Sequence, residues 1–401
     1  MAMSWLVYRL TGSAFYLGII GFSTQIPTIF IAPFAGVLAD RWSRHRMLMV
    51  TQVLSMLQAL VLAALVFSGT IHIWHLIVMS VFIGIVNAFD IPIRQAFVYQ
   101  LVNDKDDLSN AIALNSMIFN GARLAGPPIA GFLILIAGEG VCFLLNAISY
   151  LAVLIALLAM KLSPQNTGLS QGRVLIELKN GLKYAASVVP IRIILIVLGF
   201  ISLVGMPYAV LMPVFAKDIL GGGPQTLGFL MGAVGIGALI GALYLATRKS
   251  IRGLGKVMVF SISLFGVGII MFSLSKVLWF SLLMMLFSGF GMMVQMASIN
   301  TILQTIVDDD KRGRVMSLYT MAFMGMAPFG SLLAGSAANW LGAPHTLQIS
   351  GILCLLTAAV FWKKLPLLRE MVLPIYAQKG IIPEVAAGIG SATQMTIQTK
   401  E

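Results

Sequence analysis

Eleven blocks of nearly unbroken apolar residues constrain this chain more than any other feature. They run approximately over residues 14–39, 47–67, 73–98, 109–137, 141–161, 191–216, 227–247, 257–275, 278–304, 314–341 and 346–362. At 1.5 Å per residue, roughly twenty residues of helix cross about 30 Å of hydrocarbon. The blocks show no ten-residue alternation, which excludes a membrane β-barrel. Only 10% of the chain is charged, against about a quarter in soluble domains. The chain reads as an all-α integral membrane protein.

Its basic residues are distributed unevenly. If the loop at 40–46 faces the cytoplasm, 21 of the 26 Lys and Arg share that side, in 40–46, 99–108, 161–192, 248–256, 305–314 and the tail. Arg9, Lys217 and Lys276 fall in opposite loops, and Arg94 and Arg123 lie inside spans. This bias is the one that orients membrane proteins. The net charge of +12 therefore reports topology and implies no nucleic-acid partner. Cys142 and Cys354, in or at the edge of spans, read as buried thiols rather than a disulfide framework.

An apolar stub, MAMSWLVY, precedes the first full block. Eight helical residues reach only about 12 Å, which would leave Met1 near mid-membrane. No signal-peptide pattern accounts for this. The expectation is a first helix lacking a dozen or more upstream residues; the alternative is a short first helix.

The chain also repeats itself. A shift of 204 residues aligns QLVNDKDDLSNAIALNSMIFNGARLAGPPIAG (100–131) with QTIVDDDKRGRVMSLYTMAFMGMAPFGSLLAG (304–335). Gln100, Asp104, Asp106, Leu114, Met117, Gly121, Gly126, Ala130 and Gly131 meet Gln304, Asp308, Asp310, Leu318, Met321, Gly325, Gly330, Ala334 and Gly335. The shift spans an even number of crossings, so the halves are parallel repeats about an axis along the membrane normal. Two six-helix bundles follow: residues 1–161, with a partial first helix, and 191–362. Residues 162–190 join them through a short amphipathic helix expected on the cytoplasmic surface, and 363–401 form a cytoplasmic tail.

GVLADRWSRHR (36–46) resembles the loop motif between helices 2 and 3 of the major facilitator superfamily, G-x-L-a-D-R-x-G-R-(R/K)-x. Ser43 and His45 depart from it. ARLAGPPIAG (122–131) resembles the fifth-helix antiporter motif G-x-x-x-G-P-x-x-G-G. NAFDIPIRQAFV, NGARLAGPP and RGRVMSLY are similar to the branch of enterobactin exporters and transmembrane secretion effectors. The resemblance covers almost the whole chain, except the stub and residues 380–401. The matching second-half loop, RKSIRGLGK, keeps its bases but lacks the Asp.

The resemblance implies a conformational latch of Gly36, Asp40, Arg41, Arg44, Asp90 and Arg314. Asp40 would meet the start of helix 11, whose exposed amides favour an anion, and Arg44 would relay to Asp90. The simpler reading of the same loop is a basic topological anchor. Ionisable residues inside spans point to function by default. Asp90 and Arg94 stand at i and i+4, in the favourable acid-first order, and with Arg123 are the coupling or substrate candidates. A local structural pair remains the alternative for Asp90 and Arg94, and a carbonyl partner for Arg123. Gly126, Pro127 and Gly131 suit close helix approach and a bend. Met292, Met293, Met296, Met321, Met324 and Met326 read as ordinary packing or an adaptable cavity wall.

His72 and His75 lack further ligands, so no metal is expected. GGGPQTLG (221–228) and GLGK (253–256) lack the residues of a nucleotide-binding P-loop, so no cofactor is expected and transport would use an ion gradient. The resemblance implies a non-enzymatic secondary transporter that exports a small amphipathic molecule (a siderophore, drug-like compound or metabolite) by alternating access. Protons are the expected coupling ion, membrane lipids the surroundings, a monomer the expected state, and a bacterial cytoplasmic membrane the location. An importer or facilitator of a polar metabolite, and a sensor or enzyme on the same fold, stay open as alternatives.

Overall fold

The computed structural model describes residues 1–41, 43–101, 107–160, 174–248 and 250–379. Thirteen helices follow in order: α1 Ala2–Thr11, α2 Ala14–Arg41, α3 Arg44–Phe67, α4 Ile73–Leu101, α5 Leu108–Ala159, α6 Val174–Ser187, α7 Val189–Val204, α8 Tyr208–Val214, α9 Pro224–Ala246, α10 Leu254–Leu274, α11 Leu278–Ile306, α12 Arg312–Leu341 and α13 Ala343–Gln378. A π-helical turn, Phe215–Ile219, extends α8.

Among the described residues, ten helical runs are long and apolar enough to cross a membrane. One of them, Met117–Ala159, has 43 residues, about 65 Å if straight and so enough for two crossings. It folds back at Gly138, whose φ of 79° suits only a residue without a β-carbon. Cys142 Sγ lies 4.0 Å from the Ala130 carbonyl, a contact that a straight helix would forbid. With short α1 and the interrupted α7–α8 segment, the described residues make twelve membrane segments in two bundles of six.

The repeat is present in three dimensions. α5 begins at Leu108 and α12 at Arg312, and Gly138 is matched by Gly342 at φ 83°. Inside the halves, α2 packs on α4 as α9 packs on α11, and α3 packs on α5 as α10 packs on α13. Positive-φ glycines at 12, 69, 138, 221 and 342 turn the chain at one end of the bundle. The basic loops around 44–46, 248–256 and 308–314 lie at the other, called the basic end below.

Three sequence expectations change. The last helix does not stop at 362 but runs to Gln378, where Lys379 Nζ donates to the carbonyls of Thr305 and Val307 at 2.9 and 2.8 Å. An ammonium on these otherwise orphaned carbonyls caps α11 and suits its dipole. The block 191–216 is interrupted at Gly205–Pro207, where Pro207 lacks an amide hydrogen.

The linker helix α6 does not simply lie on the surface but packs on α12. Tyr184 Oη donates to Asp308 at 3.2 Å, and Lys311 Nζ stands 4.7 Å from the Tyr184 ring centre. The Lys311 hydrogen bond holds the Asp308 carboxyl below its ordinary range, and the same contact raises the Lys311 ammonium. Burial raises the Tyr184 hydroxyl.

Candidate transport pathway between the two halves

The halves meet along two seams, α2 with α12 and α5 with α9. Both seams are built on small residues. A β-carbon added to Gly18 would lie 2.7 Å from the Ser331 carbonyl and 3.0 Å from Gly335 Cα. One added to Gly131 would lie 2.7 Å from the Pro224 carbonyl and 3.2 Å from Gly228 Cα. Gly131 and Gly335 are repeat mates, so each half uses the same position to bring its backbone onto the other. Edge-on ring pairs, Phe22 with Phe329 and Phe132 with Phe229, flank these crossings.

The seams stop partway along. On α5, residues 117, 121, 124, 128 and 131 share one helical face. Leu124 and Pro128 still pack on Gly235 and Gly232 of α9, yet a β-carbon on Gly121 would meet nothing within 4 Å. Its mate Gly325 on α12 is equally open. One turn further, Met117 and Met321 are exposed. Among the described residues, the two halves therefore touch over the end opposite the basic loops and diverge along α5 and α12 toward the basic end, leaving a wedge between them.

Polar groups tie the closed end. Tyr8 Oη in α1 donates to the Asp218 carboxylate in the C-terminal half, and Lys217 Nζ stands 5.5 Å from the Tyr8 ring centre. Arg9 Nε pairs with Glu139 Oε1 at 3.0 Å. Glu139 is only 3% exposed, so Arg9 neutralises a charge that would otherwise be costly to bury. The sequence reading missed Tyr8, Glu139 and Asp218. A signal existed: outside the basic side and the spans, Glu139 and Asp218 are the only acids, one in each half.

Of the predicted residues, Asp90 is 5% exposed. Thr51 Oγ1 and Gln52 Nε2, both from α3, donate to its Oδ1 at 2.8 and 2.7 Å, and Arg94 donates to its Oδ2. Thus α3 contributes two neutral donors that no reading of α4 alone would include. Arg123 is exposed, with its guanidinium carbon 6.0 Å from the Phe119 ring centre. Its neighbour Leu124 makes the last seam contact, on Gly235 in the opposite half.

Gly131 makes the close approach described above, whereas Gly126 has open space around it. Pro127 contributes its carbonyl, which would sit 2.6 Å from a β-carbon on Gly228. Arg314 is placed against the linker, its Cβ 3.1 Å from where a Gly181 β-carbon would be. Arg44 opens α3. The side chains of Gly36, Asp40 and Arg41 lie outside the described residues.

Met321, Met324 and Met326 are exposed, but Met292 is buried and accepts a hydrogen bond from Tyr208 Oη at 3.9 Å. The His72 amide donates to His75 Nδ1 at 3.0 Å. Among the described residues, no group of three or more His, Cys, Asp or Glu could hold a metal ion.

Comparison with known proteins agrees with this architecture. The profile of the transmembrane secretion effector family matches residues 1–376. The chain is 30% identical to the staphyloferrin A transporter of Staphylococcus aureus (strain NCTC 8325 / PS 47), over 90% of each chain. It is 25% identical to the multidrug efflux pump Tap of Mycolicibacterium fortuitum, over 92% of each.

Among solved structures, nucleoside transporter NupG superposes with a TM-score of 0.69 at 14% identity, covering 90% of this chain and 92% of that one. A bacterial homolog of the human lysosomal transporter Spinster, inward-facing and unoccupied, gives 0.69 at 13% identity, covering 93% and 94%. These likenesses show the shared fold. The family is one of transporters rather than enzymes, and this chain, a multi-pass membrane protein, belongs to the transmembrane secretion effector family of the major facilitator superfamily.

Proposed function

We propose that this protein exports a small amphipathic molecule by alternating access, with protons as the coupling ion. The wedge between the halves carries this reading. It is open at the basic end, which the positive-inside bias assigns to the cytoplasm, and closed at the other by the paired glycine crossings and the Tyr8–Asp218 hydrogen bond. A substrate would therefore enter from the cytoplasm. The relatives above are named a staphyloferrin A transporter and a multidrug efflux pump, which favours export of a small molecule.

Arg123 and Phe119 offer a cation beside an aromatic ring at its inner edge, a pairing that receives an anionic group attached to an apolar body. We assign Asp90, gripped by Thr51, Gln52 and Arg94, to positioning α3 against α4 behind the cytoplasmic latch. In that latch Gly36, Asp40, Arg41, Arg44 and Arg314 close the basic end when the opposite end opens. The protein works as a monomer surrounded by lipid.

The test compares the culture medium of a strain lacking the gene with complemented strains by untargeted mass spectrometry. A compound should vanish from the medium on deletion, accumulate in the cells and return on complementation. Collapsing the proton gradient should stop that return. Asp40→Asn should abolish complementation with the protein still in the membrane, and Arg123→Gln should lower apparent substrate affinity about tenfold or more. A compound left behind in the medium of the deletion strain would mark an importer instead.

A further inference from the structure

A second cavity lies away from the central wedge. It is a cleft of about 640 Å³ enclosed by α7, α10, α11 and α13, all within the C-terminal half. Its floor is apolar, with Ile194, Ile302 and Phe361 nearly inaccessible. Its rim carries Arg252, Lys256 and Arg369, and no acid lines it among the described residues. A mostly apolar cleft of this size with a few convergent polar groups has the makings of a ligand site.

Position along the membrane selects the ligand. α13 starts at Ala343 at the opposite end. Phe361 is eighteen residues along it, about 27 Å and still inside the roughly 30 Å of hydrocarbon. Arg369 is about 39 Å along and beyond it, while Arg252 and Lys256 flank the start of α10, where that helix enters the membrane. Phe361 thus lies at acyl-chain depth, while Ile302, twenty-four residues and about 36 Å along α11, lies with the cations toward headgroup depth. Basic pockets between membrane helices at this depth hold acidic lipid headgroups.

We propose that this cleft binds an anionic glycerophospholipid, its phosphate at Lys256, Arg369 and Arg252 and an acyl chain running past Ile302 to Phe361. The lipid steadies the junction of α10 and α13, outside the transport pathway. A soluble anion would satisfy the rim alone and leave the floor uncovered, which separates it from a lipid.

Native mass spectrometry of the full chain in detergent tests this with phosphatidylglycerol and phosphatidylcholine of identical acyl chains. Phosphatidylglycerol should be retained about tenfold more than phosphatidylcholine, and glycerol phosphate in excess should not displace it. The cleft double variant Lys256→Gln/Arg369→Gln should lower retention about tenfold. The matched double variant Lys363→Gln/Lys364→Gln, at exposed residues of α13 outside the cleft, should change it less than about twofold. Equal losses in both variants would reduce the effect to diffuse surface charge and overturn the site. Displacement by glycerol phosphate would make it a solute site, and equal retention of phosphatidylcholine would remove the headgroup assignment. A lipid adduct seen only in a chain ending at Lys379 would give the cleft to residues 380–401 and overturn the proposal equally.

Discussion

The Tyr8 hydroxyl donates to the Asp218 carboxylate across a separation of 210 residues, joining the first helix of one bundle to the first of the other. It is the one hydrogen bond described here that ties the two halves through a charged group at the closed end, and Lys217 lies over the same ring. A hydrogen bond to a charged group contributes about 1.5–3 kcal/mol net. Tyr8→Phe should shift the balance between closed and open states by roughly tenfold or more. Spin labels at Ser13 and Asn339, which face each other at that end, should then show a longer-distance population. An unchanged distance distribution would remove Tyr8 from the gate.

Arg9 and Glu139 should respond unequally to substitution. Glu139 is buried, whereas the Arg9 side chain is 51% exposed, so water can take over from Glu139 but cannot take over from Arg9. Arg9→Gln, which strands a buried carboxylate, should cost about 2–3 kcal/mol, discounted from the 3–5 kcal/mol of a fully buried pair. Glu139→Gln should cost about 1 kcal/mol or less. Thermal unfolding in detergent reads the order, and the reverse order would show that the pair is not the source of stability.

The paired crossings predict a pattern among four glycines. Gly131→Ala and Gly335→Ala put a methyl within 3 Å of backbone on the opposite half, and two rigid backbones yield to it only by separating. Both should slow substrate efflux several-fold, since the closed end can no longer seal. Gly121→Ala and Gly325→Ala meet open space and should leave efflux within about twofold. Similar losses at all four positions would mean that the crossings are not the moving contact.

The linker contact has a definite pH range. Lys311 holds the Asp308 carboxyl below its usual range, so its contribution is present above the unfolded value of about 3.9 and is lost as pH falls through the lower folded value. Lys311 is raised, so its contribution is present below about 10.4 and is lost as pH rises through the higher folded value. Tyr184, also raised, stays protonated throughout that interval. Both charges are largely exposed, so solvent screens the contact and its contribution to stability is small. Docking of α6 on α12, followed by labels at Ser187 and Ser317, should be flat between about pH 5 and 9 and loosen only in stronger acid or base. A transition near pH 7 would assign the contact to other groups.

Much of the architecture was legible because hydrocarbon is an exacting solvent. It demands about twenty apolar residues per crossing and leaves few places for charge, so the spans, their turns and the net basic side appear directly in one dimension. The repeat was legible for a related reason. Glycines such as Gly131 and Gly335 are held in register by backbone approaches that tolerate no side chain, so matched positions survive in both halves.

What the one-dimensional pattern could not show is which residues meet. Asp90 was singled out with Arg94, four residues away, but two of its donors, Thr51 and Gln52, come from a different helix. Gly126 and Gly131 look alike as letters, yet one faces open space and the other a partner backbone.

The amino-acid sequence by itself determined the membrane class, the number of the crossings, the twofold repeat and the reserved glycine positions. Each of these follows from local hydropathy and from the conformations a single residue can adopt. Only the tertiary structure decided that the described faces of α5 and α12 diverge toward the basic end, that Tyr8 reaches Asp218 and Arg9 reaches Glu139, and that α6 docks on α12. Those contacts join residues from about 120 to more than two hundred positions apart. Their existence depends on how whole helices pack within and between the two bundles, which no local pattern encodes.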